Sequence, residues 1–364
     1  VSGGLRVLAL VTDAWGAGGG IAQFNRDWIA AACAAGARVD VLAHGVADPQ
    51  AEPLPPGARV IGARLRRLGF VRHALRAARQ RPDLLFCGHL HFAPVAAWVA
   101  RSAGCRWWLQ LHGVEAWPRP GRLRRAAAAR ADLLVSVSRF TRRAALGWWD
   151  GDPWRARVLP NTVDPAFTPG PRDAALGARL GIDGSPVLLT VGRLAASEAY
   201  KGHDRILRAM PTLLARWPRL QYVVAGDGDD RPRLARLAHD AGVADRVRFV
   251  GAVDRADLPA LYRLADAFAM PSTGEGFGIA FLEAMACGVP ALGLDGDGSV
   301  DALGDGELGE MVGETRIVEG LVRLLEVAQA RDGTLGQRVD SRFGRSMFKQ
   351  RVCTMLRGLA DGAA

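Results

Sequence analysis

Two glutamates in "STGEGFGIAFLEAMACGVP" (272–290) stand eight positions apart. Glu275 lies among Gly274, Gly276 and Gly278, and Glu283 lies in the apolar run that follows, which predicts a helix ending near Gly288. A glycine-lined helix start offers free amides and a dipole that favour an anion. Glu283 can accept hydrogen bonds from vicinal hydroxyls such as those of a ribose, and Glu275 from a second polyol. The amides of Gly276, Phe277 and Gly278 can face phosphates between them. A nucleoside diphosphate sugar fits that arrangement. "VGRLAASEAYKGHD" (191–204) adds Arg193 just past a predicted strand and Lys201 just before a predicted helix, with Gly192 and Gly202 beside them. Two fixed cations at that level suit a diphosphate, where charge gathers as a glycosidic bond breaks.

Other segments offer less specific chemistry. "DAWGAGGGIAQF" (13–24) follows a predicted strand and leads into a helix, so Gly18, Gly19 and Gly20 could let a ligand approach the backbone, or could form a plain tight turn. A dinucleotide fingerprint would need glycine where Ile21 stands, and the usual ribose-binding acid is missing from the end of the second strand. Nicotinamide binding is therefore not expected. His112 ends a strand ahead of Gly113, while Glu115 and Trp117 could line an acceptor pocket or simply belong to the loop. "VVAGDGDD" (223–230) lacks the spacing and final glutamate of a calcium-binding loop and reads as a strand-to-helix turn.

The elements that must position these residues alternate along the chain. "RVLALVT" (6–12), "RVDVLA" (38–43), "DLLFCG" (83–88), "RWWLQLH" (106–112), "DLLVSV" (132–137) and "ARVLP" (156–160) read as buried strands with helical segments between most of them. "NTVDPAFTPGPRD" (161–173) reads as a proline-rich linker. A second series follows in "PVLLTVG" (186–192), "LQYVVAG" (220–226), "RVRFVG" (246–251), "DAFAMP" (266–271) and "VPALG" (289–293). The expectation is an α/β protein with two doubly wound, Rossmann-like domains, 1–165 and 166–343, facing across a ligand cleft. A final helix over 344–364 is expected to cross back to the first domain.

Charge is unevenly divided. Residues 1–165 carry 23 arginines against 11 acids, whereas 166–364 carry 24 basic residues against 26 acids. The excess concentrates in "RLRRLGFVRHALRAARQR" (64–81) and "RPGRLRRAAAAR" (119–130). Such stretches suit a solvated helix face, or contact with an anionic membrane or a lipid-diphosphate acceptor, where each basic residue contributes about 1 kcal/mol. Nucleic acid is not expected, because no binding motif or interleaved aromatics accompany the charge. No apolar run reaches the roughly 18–20 residues of a membrane span, and Arg6 stands too near the first residue for a signal-peptide core. Cys33, Cys87, Cys105, Cys287 and Cys353 form no CxxC pair and read as reduced thiols of a cytoplasmic protein.

In chain order, "LPNTVD", "GRL…YKGHD", the Glu275-x7-Glu283 block and "DGDGSVDALGDGELG" (295–309) resemble the retaining GT-B glycosyltransferases of family 4. The first half matches at its glycine loop, His112-Gly113 and "VSVSRFT" (135–141). The resemblance implies that the second domain binds the nucleotide and the first the acceptor. Arg193 and Lys201 would stabilise the leaving diphosphate, Glu283 would hold the ribose, and Glu275 with the 276–278 amides would hold the donor sugar. Gly192 would lie beside the diphosphate, His112 at the sugar and Gly18–Gly20 near the phosphates. The backbone around Gly251 and Val253 would frame the base.

No divalent metal or other cofactor is implied. Retention without an obvious nucleophile implies a front-face path. The form "ASEAYKGHD" resembles exopolysaccharide mannosyltransferases, favouring GDP-mannose over UDP-sugars. The expected enzyme is a cytoplasmic hexosyltransferase, peripheral on the inner membrane face, with a lipid-linked or polysaccharide acceptor. Alternatives are transfer to a soluble metabolite, and a GT-B-like binding protein or epimerase without transfer.

Overall fold

The computed structural model describes residues 4–183, 186–328 and 333–360. The chain divides into two compact units, residues 1–162 with 345–364, and residues 163–344.

The first unit is built on seven parallel strands: β1 (Arg6–Val11), β2 (Arg38–Ala43), β3 (Ala58–Gly62), β4 (Leu84–Cys87), β5 (Arg106–Leu111), β6 (Leu133–Ser136) and β7 (Ala156–Val158). Their order is β3-β2-β1-β4-β5-β6-β7, with Val7 paired to Val39 on one side and to Leu84 on the other. β4 and β6 are buried at every residue, the signature of strands covered on both faces. Helix α1 (Gly20–Ala34) buries Phe24, Trp28, Ala31 and Ala32, and Trp28 stacks on Phe86 at 3.7 Å between ring centroids. Helices α2 (Arg67–Ala78), α3 (Ala93–Ala103), α4 (Arg122–Ala128) and α5 (Arg139–Leu146) follow β3 to β6 in turn.

The second unit carries six parallel strands, β8 (Val187–Val191), β9 (Gln221–Ala225), β10 (Val247–Gly251), β11 (Ala267–Ala269), β12 (Ala291–Leu294) and β13 (Glu310–Val312). Their order is β10-β9-β8-β11-β12-β13. Numbered within its own unit, each sheet runs 3-2-1-4-5-6, the first continuing to a seventh strand, so the order reverses between β1 and β4 and again between β8 and β11. Ligands of doubly wound sheets bind outside the carboxyl ends of the strands at that reversal. Covering helices include α6 (Ala174–Leu180), α7 (His203–Arg216), α8 (Arg231–Asp240), α9 (Leu258–Leu264), α10 (Ile279–Ala286), the single turn α11 (Ser299–Ala302), α12 (Ile317–Val327) and α13 (Leu335–Phe343).

β3, β13 and the segment 161–173 depart from the sequence-based expectation, whereas the final helix lies where it was expected. β3 and β13 were not anticipated. Both are edge strands, one with no fully buried residue and one of three residues, and neither presents an apolar run. The segment 161–173 is packed rather than free. Val163 bridges to Gly344, Phe167 is buried edge-on against Tyr262, and Arg263 donates to the Thr168 carbonyl at 2.8 Å. The last helix, α14 (Arg345–Ala360), lies in the first unit, where Phe348 meets Phe24 edge-on and Arg345 pairs with Asp27. Residues 361–364 of the expected final segment lie outside the described residues. All five cysteines are free thiols.

Candidate functional site

In the second unit both motifs of interest leave strands that flank the order reversal. β8 passes through Gly192, whose amide continues the ladder to the Ala225 carbonyl at 2.9 Å. The loop after it reaches Arg193 and then a 3₁₀ turn, Ala196–Lys201, which Gly202 closes at φ 82°. A side chain at Gly202 would strike the Pro271 carbonyl, so α7 can begin there only with glycine. The acidic turn "DGDD" holds this loop from beneath. Asp229 accepts from the Ala196 amide at 2.7 Å, the Asp230 amide donates to the Leu194 carbonyl at 2.8 Å, and Arg233 fixes the Asp230 carboxylate.

β11 leads into the glycine-rich loop 272–278, stitched to the first loop where the Thr273 amide donates to the Tyr200 carbonyl at 3.0 Å. The Glu275 peptide is clamped from both ends. Its N–H donates to Asp297 at 2.7 Å, and its carbonyl accepts from the Gly298 amide at 2.8 Å. Asp297 is buried, accepts also from the Ser299 amide and hydroxyl, and is pushed by that burial to a pKa of about 6. Gly278 turns into α10 at φ 89°. Phe277 buries its ring edge-on against Phe343, so only its backbone can meet a ligand. Among the described residues the amides of Gly276, Phe277 and Gly278 have no protein acceptor. They immediately precede the start of α10, where the helix dipole favours an anion.

Four charged side chains meet above these loops. Lys201 lies 3.1 Å from Glu275 and 3.7 Å from Glu198, and Arg193 pairs with the other oxygen of Glu198. Burial opposes the Lys201 charge, but the two carboxylates outweigh it and hold the ammonium above its ordinary range. Arg193 remains 77% exposed, whereas the other three are about 14% exposed or less. Glu283 stands apart from this cluster on α10, buried, with Tyr262 donating to one of its oxygens at 2.9 Å. Burial raises its pKa to about 7. Gly251 ends β10 at φ 75° and accepts from the Gly226 amide, and Val253 lies half-buried in the following loop. Glu198, Asp297 and Tyr262 were not anticipated as site residues.

The remaining candidates belong to the first unit. Gly18, Gly19 and Gly20 are exposed at the start of α1, with Gly19 at φ 93° and open space where a side chain at 18 or 19 would project. The loop is held by Arg26, a buried residue that sequence reasoning missed, which donates to the Ala14 and Ala17 carbonyls. His112 presents Nε2 to the Gly88 carbonyl at 2.9 Å, which assigns the proton to Nε2 and leaves Nδ1 an acceptor. Burial pushes His112 and its neighbour His89 down to about 4, so both rings are neutral at pH 7. Glu115 accepts from the His112 amide at 2.6 Å, and Trp117 donates to Thr141 while meeting Phe140 edge-on. Glu115 therefore holds its own loop, and Trp117 ties that loop to α5.

Comparison with known proteins matches residues 18–167 to the family described as Glycosyltransferase Family 4 and residues 176–332 to Glycosyl transferases group 1, so that matched segments cover most of both units. The chain belongs to glycosyltransferase family 4. One family relative, the GDP-mannose-dependent alpha-(1-6)-phosphatidylinositol monomannoside mannosyltransferase of Mycolicibacterium smegmatis, is 33% identical over 195 residues, 51% of this chain and 50% of that protein. Another, the D-inositol 3-phosphate glycosyltransferase of Salinispora arenicola, is 38% identical over 200 residues, 50% of this chain and 44% of that protein. The chain thus spans about half the length of the curated relatives it matches. The solved structure of HepE from Anabaena with UDP-glucose is 22% identical, with a TM-score of 0.79 over 97% of this chain and 100% of that one. That likeness shows the GT-B fold for this family-4 member.

Proposed function

We propose that this family-4 protein is a retaining hexosyltransferase that takes its sugar from a nucleoside diphosphate sugar. The observation that carries this is the largely covered Lys201, with Arg193 beside it, next to amides unpaired among the described residues at the order reversal of the second sheet. Such a cradle meets a diphosphate and strengthens as negative charge develops on it, which lowers the barrier to bond cleavage. The cations and amides can supply the positive charge without a divalent metal. In the front-face path the acceptor hydroxyl attacks the anomeric carbon on the side the diphosphate leaves. The departing phosphate oxygen takes the hydroxyl proton. Glu275 binds the donor sugar and Glu283 the ribose, with Gly251 and Val253 near the base. The name of the mycolicibacterial relative supports GDP-mannose as donor and a lipid-linked acceptor.

Membrane contact through the first unit belongs to the same proposal, at the cytoplasmic face. α3 packs beside both α2 and α4. These helices expose Leu68 (81%), Trp98 (54%) and Leu123 (73%) among the arginines of 64–76 and 122–125, an apolar and basic mixture suited to an anionic surface. No helix among the described residues is long and apolar enough to cross a membrane.

The experiment is release of nucleoside diphosphate from a panel of GDP- and UDP-sugars in EDTA, with and without vesicles containing phosphatidylinositol. Release from GDP-mannose, stimulated by the vesicles, is expected. Equal release without lipid would refute the membrane acceptor, and no release from any donor would refute transfer.

A further inference from the structure

Glu198 is unusual among the charged groups of the site. It sits inside the 3₁₀ turn Ala196–Lys201 at φ −113°, ψ 23°, off the helical path, so its side chain turns toward the two cations. One carboxylate oxygen pairs with Arg193. The other is buried, has no hydrogen bond among the described residues, and lies 3.7 Å from the Lys201 ammonium. Glu275 supplies the direct partner of Lys201 at 3.1 Å. Two cations therefore face two carboxylates, and the cluster is close to neutral before any ligand arrives.

A diphosphate needs the same two cations. In the proposed function Glu275 has a second use as a hydroxyl acceptor for the sugar, whereas the side chain of Glu198 faces only the two cations. We propose that Glu198 is a displaceable counter-ion: it holds Arg193 and Lys201 in place of the diphosphate while the site is empty, and so limits how tightly nucleoside diphosphate is retained. The inference rests on the assignment of Arg193 and Lys201 as diphosphate partners. With the ligand bound, Glu198 adds an uncompensated negative charge a few ångströms from the phosphates in partly desolvated surroundings. At that range a like charge weakens binding by about tenfold or more. The exposed Arg193 can leave Glu198 for a phosphate by rotating its side chain, so the exchange needs no backbone movement.

The test is calorimetric titration of GDP and UDP, without metal, into the wild-type chain, Glu198→Gln and Glu198→Asp, with thermal melting of each as a control for folding. Glu198→Gln should bind the accepted nucleotide about tenfold more tightly. In steady-state assays its donor KM and kcat should fall together, as product release slows. A purely structural role would raise KM instead. Glu198→Asp keeps the charge but draws it back from Lys201, so its affinity should lie between the other two; it carries the test if Glu198→Gln does not fold. Unchanged or weaker binding in the folded variants overturns the counter-ion role while leaving the diphosphate site standing. Failure of the wild type to bind either nucleotide removes that site and the inference with it.

Discussion

Replacing Glu283 by glutamine tests whether the carboxyl on α10 is held neutral by its surroundings. The side chain is buried, Tyr262 supplies a hydrogen bond, and burial lifts the pKa from an ordinary 4.5 to about 7. A carboxyl raised in the folded state is stabilising below the unfolded value and loses that advantage as pH rises through the folded one. From 4.5 to 7 the full loss is about 3 kcal/mol, of which about 2.5 kcal/mol falls between pH 5 and pH 8. The amide introduced by Glu283→Gln cannot ionise, so the variant escapes this loss. Hydrogen exchange of the α10 amides, corrected for intrinsic rates, reads the opening free energy of this unit without assuming that the two units unfold together. The wild type should lose about 2.5 kcal/mol relative to Glu283→Gln across that range. Parallel profiles within about 0.5 kcal/mol would show that water or Arg255 already solvates the carboxylate, and the desolvation argument would fail. If ribose hydroxyls donate to this group, nucleotide binding near pH 6.5 should release a proton, which titration in buffers of different ionisation enthalpy would detect.

Arg193→Ala should lower turnover by about 10² to 10³, the scale of one lost transition-state charge partner; near-normal turnover would remove it from the chemistry. Asp297→Asn leaves one carbonyl oxygen to serve three donors, so it should cost about 1–3 kcal/mol in stability and raise donor KM. A melting temperature and KM equal to wild type would show that the Glu275 loop holds without it. Gly298→Ala would drive its Cβ into the Gly276 carbonyl and should cost about 1–3 kcal/mol on chemical denaturation. Wild-type stability in that variant would contradict the close approach of the two loops.

The strands were legible wherever both faces are covered, because burial on both sides demands a continuous apolar run. "DLLVSV" and "PVLLTVG" show it plainly, and β6 and β8 fall within them. At the sheet edges that demand lapses. "ARVIG" in β3 mixes a charge with partly exposed positions, and "EMV" in β13 opens on Glu310, which pairs with Arg323. The segment 161–173 misled for a related reason. Its prolines and turn residues signal irregular backbone, which is correct, but irregular backbone is not free backbone. Val163 and Phe167 are buried, and two apolar side chains in a polar stretch were the available signal that it is packed.

The site divides along the same lines, and the strand order explains the division. Gly192, Arg193, Lys201, Glu275 and the 276–278 loop follow β8 and β11, the two strands at the order reversal, where a ligand can lie. Their chemistry shows locally because glycines, cations and carboxylates must sit immediately beyond a strand end. The groups that support them come mostly from the strands on either side. Asp229 and Asp230 follow β9 and hold the Arg193 loop, and Asp297 follows β12 and holds Glu275. In sequence they appear only as acids in glycine-rich turns, which suggested a strand-to-helix turn in one case and no more than part of the family pattern in the other. Glu198 shows the same limit at shorter range. Three residues before Lys201 it resembles a solvated helix charge, and only the non-helical turn at that position directs it toward both cations. The candidate ligand residues are thus marked by their distance from a strand end, whereas those that hold or face them become visible only when neighbouring strands are placed side by side.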